Sequence, residues 1–354
     1  MSDLGMDASR TGTNDSADLP YAHGGPAGSA RFKPVLENFI VEESLGFECS
    51  GEGEHLFLKI QKRGCNTEDV ALRLAKFAIV PRRDVSFAGL KDKNALARQW
   101  FSIRLPKIAD REWDLLNDPE LEILARQRHI RKLKRGALAS NRFWIKLREL
   151  NADPARLETL LTRVSETGVP NYFGPQRFGL QGGNLVDAQQ FFKGEGPIRS
   201  RQKRALLLSA ARSFLFNRIL ARRVDEQTWD RAINGDALMF DGSKAYFKTT
   251  VLSSTDILRL KSGELHPSGV LWGLGGSDAS LDALDIENTV IQDYPLFCRG
   301  LEKCGVESAR RALRLFAREL SWRFEAHNDL LLNFVLPAGG YATSVLRELL
   351  DCRE

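Results

Sequence analysis

Apolar and polar positions change period several times along this 354-residue chain. Residues 1 to about 28 carry little apolar content, which predicts a mobile leader, with order beginning near Phe32. From there the pattern is mixed. Phe39, Val41 and Glu43 alternate with Ile40 and Glu42 as in a strand. Leu56, Leu58 and Ile60 share one face of a second strand, with Phe57 and Lys59 on the other. Asn66 reads as a helix N-cap, with Glu68 and Asp69 in the first turn and Val70, Leu74 and Phe77 at helical spacing. Residues 84–88, 99–105, 121–125 and 143–147 read as further strands. Residues 154–166 and 202–223 predict helices. A Gly-rich irregular stretch is expected over 263–277, helical patterns from about 286 to 320, a strand over 330–336, and a short closing helix to Leu350.

Composition narrows the class. The length suits two domains of ordinary size. Hydrophobic residues make up 43% and charged residues 27%, as in a globular protein. No apolar run is long enough to span a membrane, and the first residues lack the apolar core of a secretory signal. The five cysteines form no Cys-x-x-Cys pair and the five histidines are scattered, which predicts no zinc site, no disulfide framework and a cytoplasmic setting. A net charge of +5 is compatible with a polyanionic partner, but its distribution matters more.

Three segments look like sites. In the first, Phe87-Ala88-Gly89-Leu90-Lys91-Asp92-Lys93-Asn94-Ala95, a strand ends at glycine and an acid follows between two lysines. Flanking ammonium groups favour the carboxylate that a nucleophile or base needs. Spacing alone favours a plainer reading, a solvated turn of alternating charge. The second is the basic run Arg126, Arg128, His129, Arg131, Lys132, Lys134, Arg135, followed by Asn141, Phe143 and Trp144. Cations for phosphates beside flat rings suit extruded or single-stranded nucleotides; a solvated basic face is an equal alternative. The third, Pro170 to Gly179, alternates aromatic, Gly and Arg residues without regular period, which fits a packed loop.

Together these segments resemble the TruD family of tRNA pseudouridine synthases, in order from about Lys33 to the C-terminus. Gly89 to Ala95 carries the Gly-x-Lys-Asp-Lys-x-Ala pattern. Gly136 to Phe143 carries Gly-x-Leu-x-x-Asn-x-Phe. Pro170 to Gly179 carries Pro-Asn-Tyr-Phe-Gly-x-Gln-Arg-Phe-Gly, and Leu208–Ser213 and Leu336–Ser344 match further on. Departures are local: Leu36-Glu37-Asn38-Phe39 stands where Pro-x-Asp-Phe is expected, Ala97 stands where relatives often have Thr, and Tyr341 where they often have Phe.

The resemblance implies an α+β fold: a catalytic domain with a mixed, mainly antiparallel sheet, built from residues 29–167 and 316–354, and an inserted α/β domain at 168–315. It implies isomerisation of uridine 13, in the D-stem region of transfer RNA, without cofactor or metal. Asp92 takes the place of the catalytic carboxylate. Lys33 is expected to pair with it, with Lys91 and Lys93 as alternatives. Asn141, Phe143, Phe39 and Tyr341 align with substrate-contacting positions, though each ring has a core-packing alternative. The cations at Arg126, Arg128, Arg131, Lys132, Lys134 and Arg135 are expected on RNA phosphates. A monomer is expected. The rival readings are a noncatalytic RNA-binding module, which leaves the acid loop without a purpose, and a two-carboxylate hydrolase, for which no second acid can be named.

Overall fold

The structure is a computed structural model that describes residues 19–33, 35–105, 112–196, 198–249 and 251–353. In chain order the elements are β1 (Gly28–Arg31), β2 (Phe39–Ser44), β3 (His55–Arg63), α1 (Thr67–Ala78), β4 (Val85–Phe87), β5 (Leu96–Arg104), β6 (Leu121–His129), β7 (Ser140–Ala152), α2 (Pro154–Thr167), β8 (Val169–Pro170), α3 (Gly183–Lys193), α4 (Arg201–Asp225), β9 (Ala237–Phe240), β10 (Tyr246–Lys248), α5 (Ser254–Ser262), β11 (Leu265–Leu271), α6 (Leu281–Gln292), α7 (Pro295–Lys303), β12 (Ala309–Ala312), β13 (Arg314–Leu315), β14 (Arg318–Glu325), β15 (Asp329–Pro337), α8 (Ala342–Leu349) and β16 (Asp351–Arg353). Among the described residues no helix is long and apolar enough to cross a membrane. The chain divides into two units. One holds residues 26–165, 317–342 and 349–354; the other holds the segments up to 25, 166–316 and 343–348.

The first unit is built on a mixed sheet in the order β14-β15-β7-β2-β5-β3-β6. Its pairs are antiparallel except β2 with β5 and, at the side, β1 with β16. Alternation decides which residues turn inward. Leu56, Leu58 and Ile60 of β3 and Phe101 and Ile103 of β5 meet Val70, Leu74 and Ala78 of α1, with Val85 and Phe87 of β4. On the opposite side Phe57, Ala88, Trp100 and Leu133 make a smaller cluster. Asn66 occupies the N-cap position of α1, but its side-chain amide turns to Asp69 instead of capping.

The second unit carries a four-stranded sheet, β10-β9-β11-β12, and a two-stranded pair, β13-β8. The long helix α4 buries Leu207, Ala211, Leu215 and Phe216 along one side.

Three expectations need correction. Residues 265–271 are a strand and not irregular; all but Leu271 of β11 are buried, so no alternation marks it, and Pro267 and Gly269 disguise it. The helical pattern ends at Lys303, and β12, β13 and the start of β14 follow. There Arg310 and Arg314 are buried, so residues that read as polar point into the core. Finally, residues 19–28 are packed against the rest of the protein and are not a mobile leader. Leu19 is buried, and the Ala22 and His23 amides donate to Glu348 at 2.9 and 3.2 Å, where a leader was expected to run to residue 28. Residues 1–18 lie outside the described residues.

Leu74 is fully buried between α1 and the sheet. Leu74→Ala should cost about 3 kcal/mol of unfolding free energy through lost burial and a residual cavity. Urea titration of the two proteins measures it.

Candidate active site

Asp92 sits on the loop between β4 and β5, eight residues that would be loose if solvent were their only partner. They are instead fastened at Gly89, Lys91 and Asp92. The Gln99 side-chain amide donates to the Gly89 carbonyl at 2.6 Å. The Lys91 amide donates to Thr67 Oγ1 at 3.0 Å, and that hydroxyl donates to Gln99 Oε1 at 3.0 Å. The Lys91 ammonium pairs with Glu43, whose other oxygen accepts from the Trp100 amide at 3.0 Å. Lys62 Nζ donates to the Asp92 carbonyl at 2.7 Å and to the Cys65 carbonyl at 2.8 Å. Each anchor comes from a regular element: Glu43 from β2, Lys62 from β3, Thr67 from the first turn of α1, Gln99 and Trp100 from β5.

The Asp92 carboxylate itself is held at both oxygens. Lys33 Nζ pairs with Oδ2, and the Asn94 amide donates to Oδ1 at 3.0 Å. Its side chain is 40% exposed, against 11% for Lys33. Burial works against the charge, but the Lys33 ammonium, the Asn94 amide and, at longer range, Lys62 outweigh it and hold the carboxyl below the usual aspartate value. Glu43 is the opposite case. Burial dominates and pushes it up, despite Lys91.

Of the three lysines weighed as the partner of Asp92, then, Lys33 makes the contact and Lys91 goes to Glu43. Lys33 does so with a left-handed backbone, φ 57°, which costs a non-glycine residue about 1 kcal/mol. Its ammonium lies over the rings of Phe32 and Phe39, 4.9 and 4.7 Å from their centroids. Phe39 continues into a row of rings through Phe143 at 5.9 Å to Phe334 at 5.4 Å. Phe39 and Phe143 are both buried, so Phe39 packs as a core residue while supporting Lys33. Asn141 lies two residues before Phe143 on β7, opposite Glu43 of β2 and Leu336 of β15. It is buried, and its Oδ1 has no hydrogen-bond partner among the described residues. Tyr341 is half-buried on the turn after β15.

The basic run is tied to the same loop. Leu133 is buried within it, and its amide donates to Ser102 Oγ at 3.0 Å. The Gly136 amide donates to the carbonyl of Ala88, the first residue of the Asp92 loop, at 2.7 Å. The cations differ. Arg126 pairs with Asp114 at 2.6 Å, and Arg128 donates to the Leu105 carbonyl at 3.0 Å. Lys132 donates to the Arg83 carbonyl at 2.8 Å, and Arg135 lies 5.2 Å over Phe87. Arg131 and Lys134 are exposed. A cavity of about 990 Å³ opens beside the network, with Glu43, Trp100, Lys59, Arg126 and Arg128 in its wall; Asp92 is not among the residues that line it.

Set beside known proteins, the chain matches the family model for tRNA pseudouridine synthase D (TruD) over residues 19–186 and 198–349. The chain belongs to the TruD family. It is 48% identical over 334 residues to tRNA pseudouridine synthase D of Methylococcus capsulatus, covering 94% of each chain. It is 47% identical over 332 residues to that of Pseudomonas aeruginosa, covering 94% of this chain and 93% of the other. A crystal structure from Methanosarcina mazei, assigned to TruD, superposes with a TM-score of 0.73 at 23% identity, covering 96% of both chains, and shares the α+β fold with its mixed sheet.

The TruD stretch Pro170 to Gly179 belongs to the second unit and is a packed loop. The Phe173 amide and carbonyl both bond the Asn217 side chain, at 2.9 and 3.0 Å, and Arg311 lies 4.1 Å over the Phe173 ring. The anchors of the Asp92 loop escaped the sequence reading. Lys62 continues the inward face of Leu56, Leu58 and Ile60, and Gln99 that of Phe101 and Ile103, so a polar residue in a core register was the one available signal.

Lys33→Met removes the strongest interaction favouring the charge on Asp92. A depressed carboxyl adds stability above its unfolded value and loses it as pH falls through the folded one. In the variant, the Asp92 titration followed by carbon NMR should move up, so that less stability is lost on acidification and that loss is complete at a higher pH than in wild type. An unmoved titration would mean that the ion pair does not form in solution.

Proposed function

We propose that this TruD protein isomerises uridine 13 in the D-stem region of transfer RNA to pseudouridine, with Asp92 as the catalytic carboxylate. The reaction breaks the bond from C1′ to N1, turns the uracil, and joins C1′ to C5. An ionised carboxylate at the ribose is its one obligatory group, whether it attacks C1′ or takes a proton from C2′. The observation that carries the proposal is the state of Asp92: charged, partly open to solvent, and on a loop that cannot wander. The family membership and the named activity of relatives close to half identical in sequence support it.

The other residues have roles consistent with this. The unpartnered Oδ1 of Asn141 is an acceptor for an N–H, and uracil carries one at N3. Tyr341, half-buried on its turn, is the ring proposed to face the extruded base; Phe143, buried between Phe39 and Phe334, backs the site from the core as Phe39 backs Lys33. Extruding the base costs a few kcal/mol, and a stacked ring returns about 1–3 kcal/mol. Phosphate contacts along Arg126, Arg128, Arg131, Lys132, Lys134 and Arg135 would fix the register of the RNA. The partner is transfer RNA and the working unit a single chain.

Hydrolysis by two carboxylates fits less well. The acid that bonds the Asp92 loop is Glu43, and both its oxygens are committed, one to Lys91 and one to the Trp100 amide. It has neither the access nor the freedom to protonate a leaving group.

Asp92→Asn should abolish pseudouridine formation on unmodified tRNA, by at least about a thousandfold, while tRNA binding survives within a few-fold. Turnover near the wild-type rate would remove Asp92 from the chemistry, and free uracil in place of pseudouridine would mean a hydrolase. Replacing Arg131 and Lys132 by Ala should weaken binding and flatten the salt dependence of Kd, the slope falling by about one for each phosphate that is no longer neutralised. A slope equal to wild type would take both residues out of the RNA path.

A further inference from the structure

Lys62 is a fully buried lysine in a strand of the sheet. Its ammonium meets two backbone carbonyls, of Cys65 and Asp92, and no carboxylate within ion-pairing distance among the described residues. Burying a cation is expensive unless a counter-charge compensates it. A neutral amide could donate to the same carbonyls at a fraction of that cost. The charge therefore needs its own explanation, and the neighbouring aspartate supplies one.

Lys33 approaches Asp92 at the carboxylate and takes up part of the face that a substrate must reach. Lys62 approaches from behind, through the main-chain carbonyl of the same residue, and leaves both carboxylate oxygens clear. We propose that Lys62 is a positioning residue for the reaction, fixing the Asp92 backbone and keeping the carboxylate ionised without covering it. This rests on the reading of Asp92 as the catalytic carboxylate. The charged and titratable groups around the pair are Lys33, Lys91, Lys93, Glu43 and the Cys65 thiol; burial, aided by Lys91 and opposed in part by Cys65, then Asp92 and Glu43, brings the Lys62 ammonium below the ordinary lysine value.

The test compares Lys62→Met, Lys62→Gln and wild type, with folding monitored by circular dichroism and Tm. Single-turnover pseudouridine formation on saturating tRNA should fall about 100-fold or more in Lys62→Met, with Kd for tRNA within threefold of wild type and the acid limb of the rate profile moved to higher pH. Lys62→Gln keeps donors and loses charge. It should recover part of the rate and leave the acid limb displaced. A merely structural lysine would lower Tm without moving that limb. Rates per folded molecule within threefold of wild type, or an acid limb that stays in place, would overturn the proposal. A measurement that needs no Lys62 variant stands beside these. Coupling between two charges is reciprocal, so in Asp92→Asn the Lys62 ammonium, followed by NMR of labelled lysine, should titrate lower than in wild type; an unchanged titration would also overturn it. Failure of the Asp92 reading itself is separate, since it appears as wild-type protein that makes no pseudouridine or as Asp92→Asn that still does.

Discussion

A carboxylate that works on a ribose has to be negative, reachable and stationary, and these demands oppose one another. Cover holds a side chain still but strips water from its charge; exposure restores the water and lets the chain move. Around Asp92, the carboxylate proposed for that role, the conflict is met by dividing the work. The backbone of the loop is immobilised by groups from strands and a helix, while the side chain keeps a substantial open face. The charge is then sustained by Lys33 in front and Lys62 behind, against the cost of partial burial. Remove the backbone anchors and the same residue becomes a surface aspartate on a flexible turn.

Those anchors make the hydrophobic core part of the site. Thr67 both accepts from the Lys91 amide and donates to Gln99, so its hydroxyl has donor and acceptor roles filled. It lies in the first turn of α1, and the position of α1 is set by Val70, Leu74 and Ala78 against β3, β4 and β5. A shift of the helix by a fraction of an ångström would be passed to the loop through one hydroxyl. Packed interiors move as units and not by gradual deformation.

Much of this was legible in the residues and part was not. Strands with one buried face, such as β2 and β3, announced themselves by alternation, and α1 by its apolar spacing. The Asp92 motif was visible as a pattern, and Lys33 as its expected partner. What pattern could not show was the support behind it. Lys62, Gln99 and Glu43 are polar residues at inward strand positions, and a polar residue turned inward looks like any other until its partner, distant in sequence, is known. The same blindness hid β11 and the strands after Lys303, where buried arginines and a mid-strand proline broke the periodicity that marks a strand. The packed segment from Leu19 was missed for a related reason: what holds it is a buried carboxylate, Glu348, and main-chain amides, not apolar burial alone.

Both carboxylate oxygens of Asp92 are engaged at rest, which raises the question of how the residue would act at all. An ionised carboxylate offers about four lone-pair sites, and Lys33 and the Asn94 amide account for two. Neither contact has to break for one oxygen to meet a ribose carbon or a C2′ proton from the open side. Keeping both has a cost, since each donor stabilises the charge that must be shared with the substrate. A bare carboxylate would be the stronger nucleophile but would swing freely and take up a proton more readily. With Lys33 braced across Phe32 and Phe39 and the loop held from beneath, the geometry gives up some intrinsic reactivity for a fixed line of approach. For a reaction that must cleave and rejoin the same sugar before the base escapes, orientation is worth more than basicity.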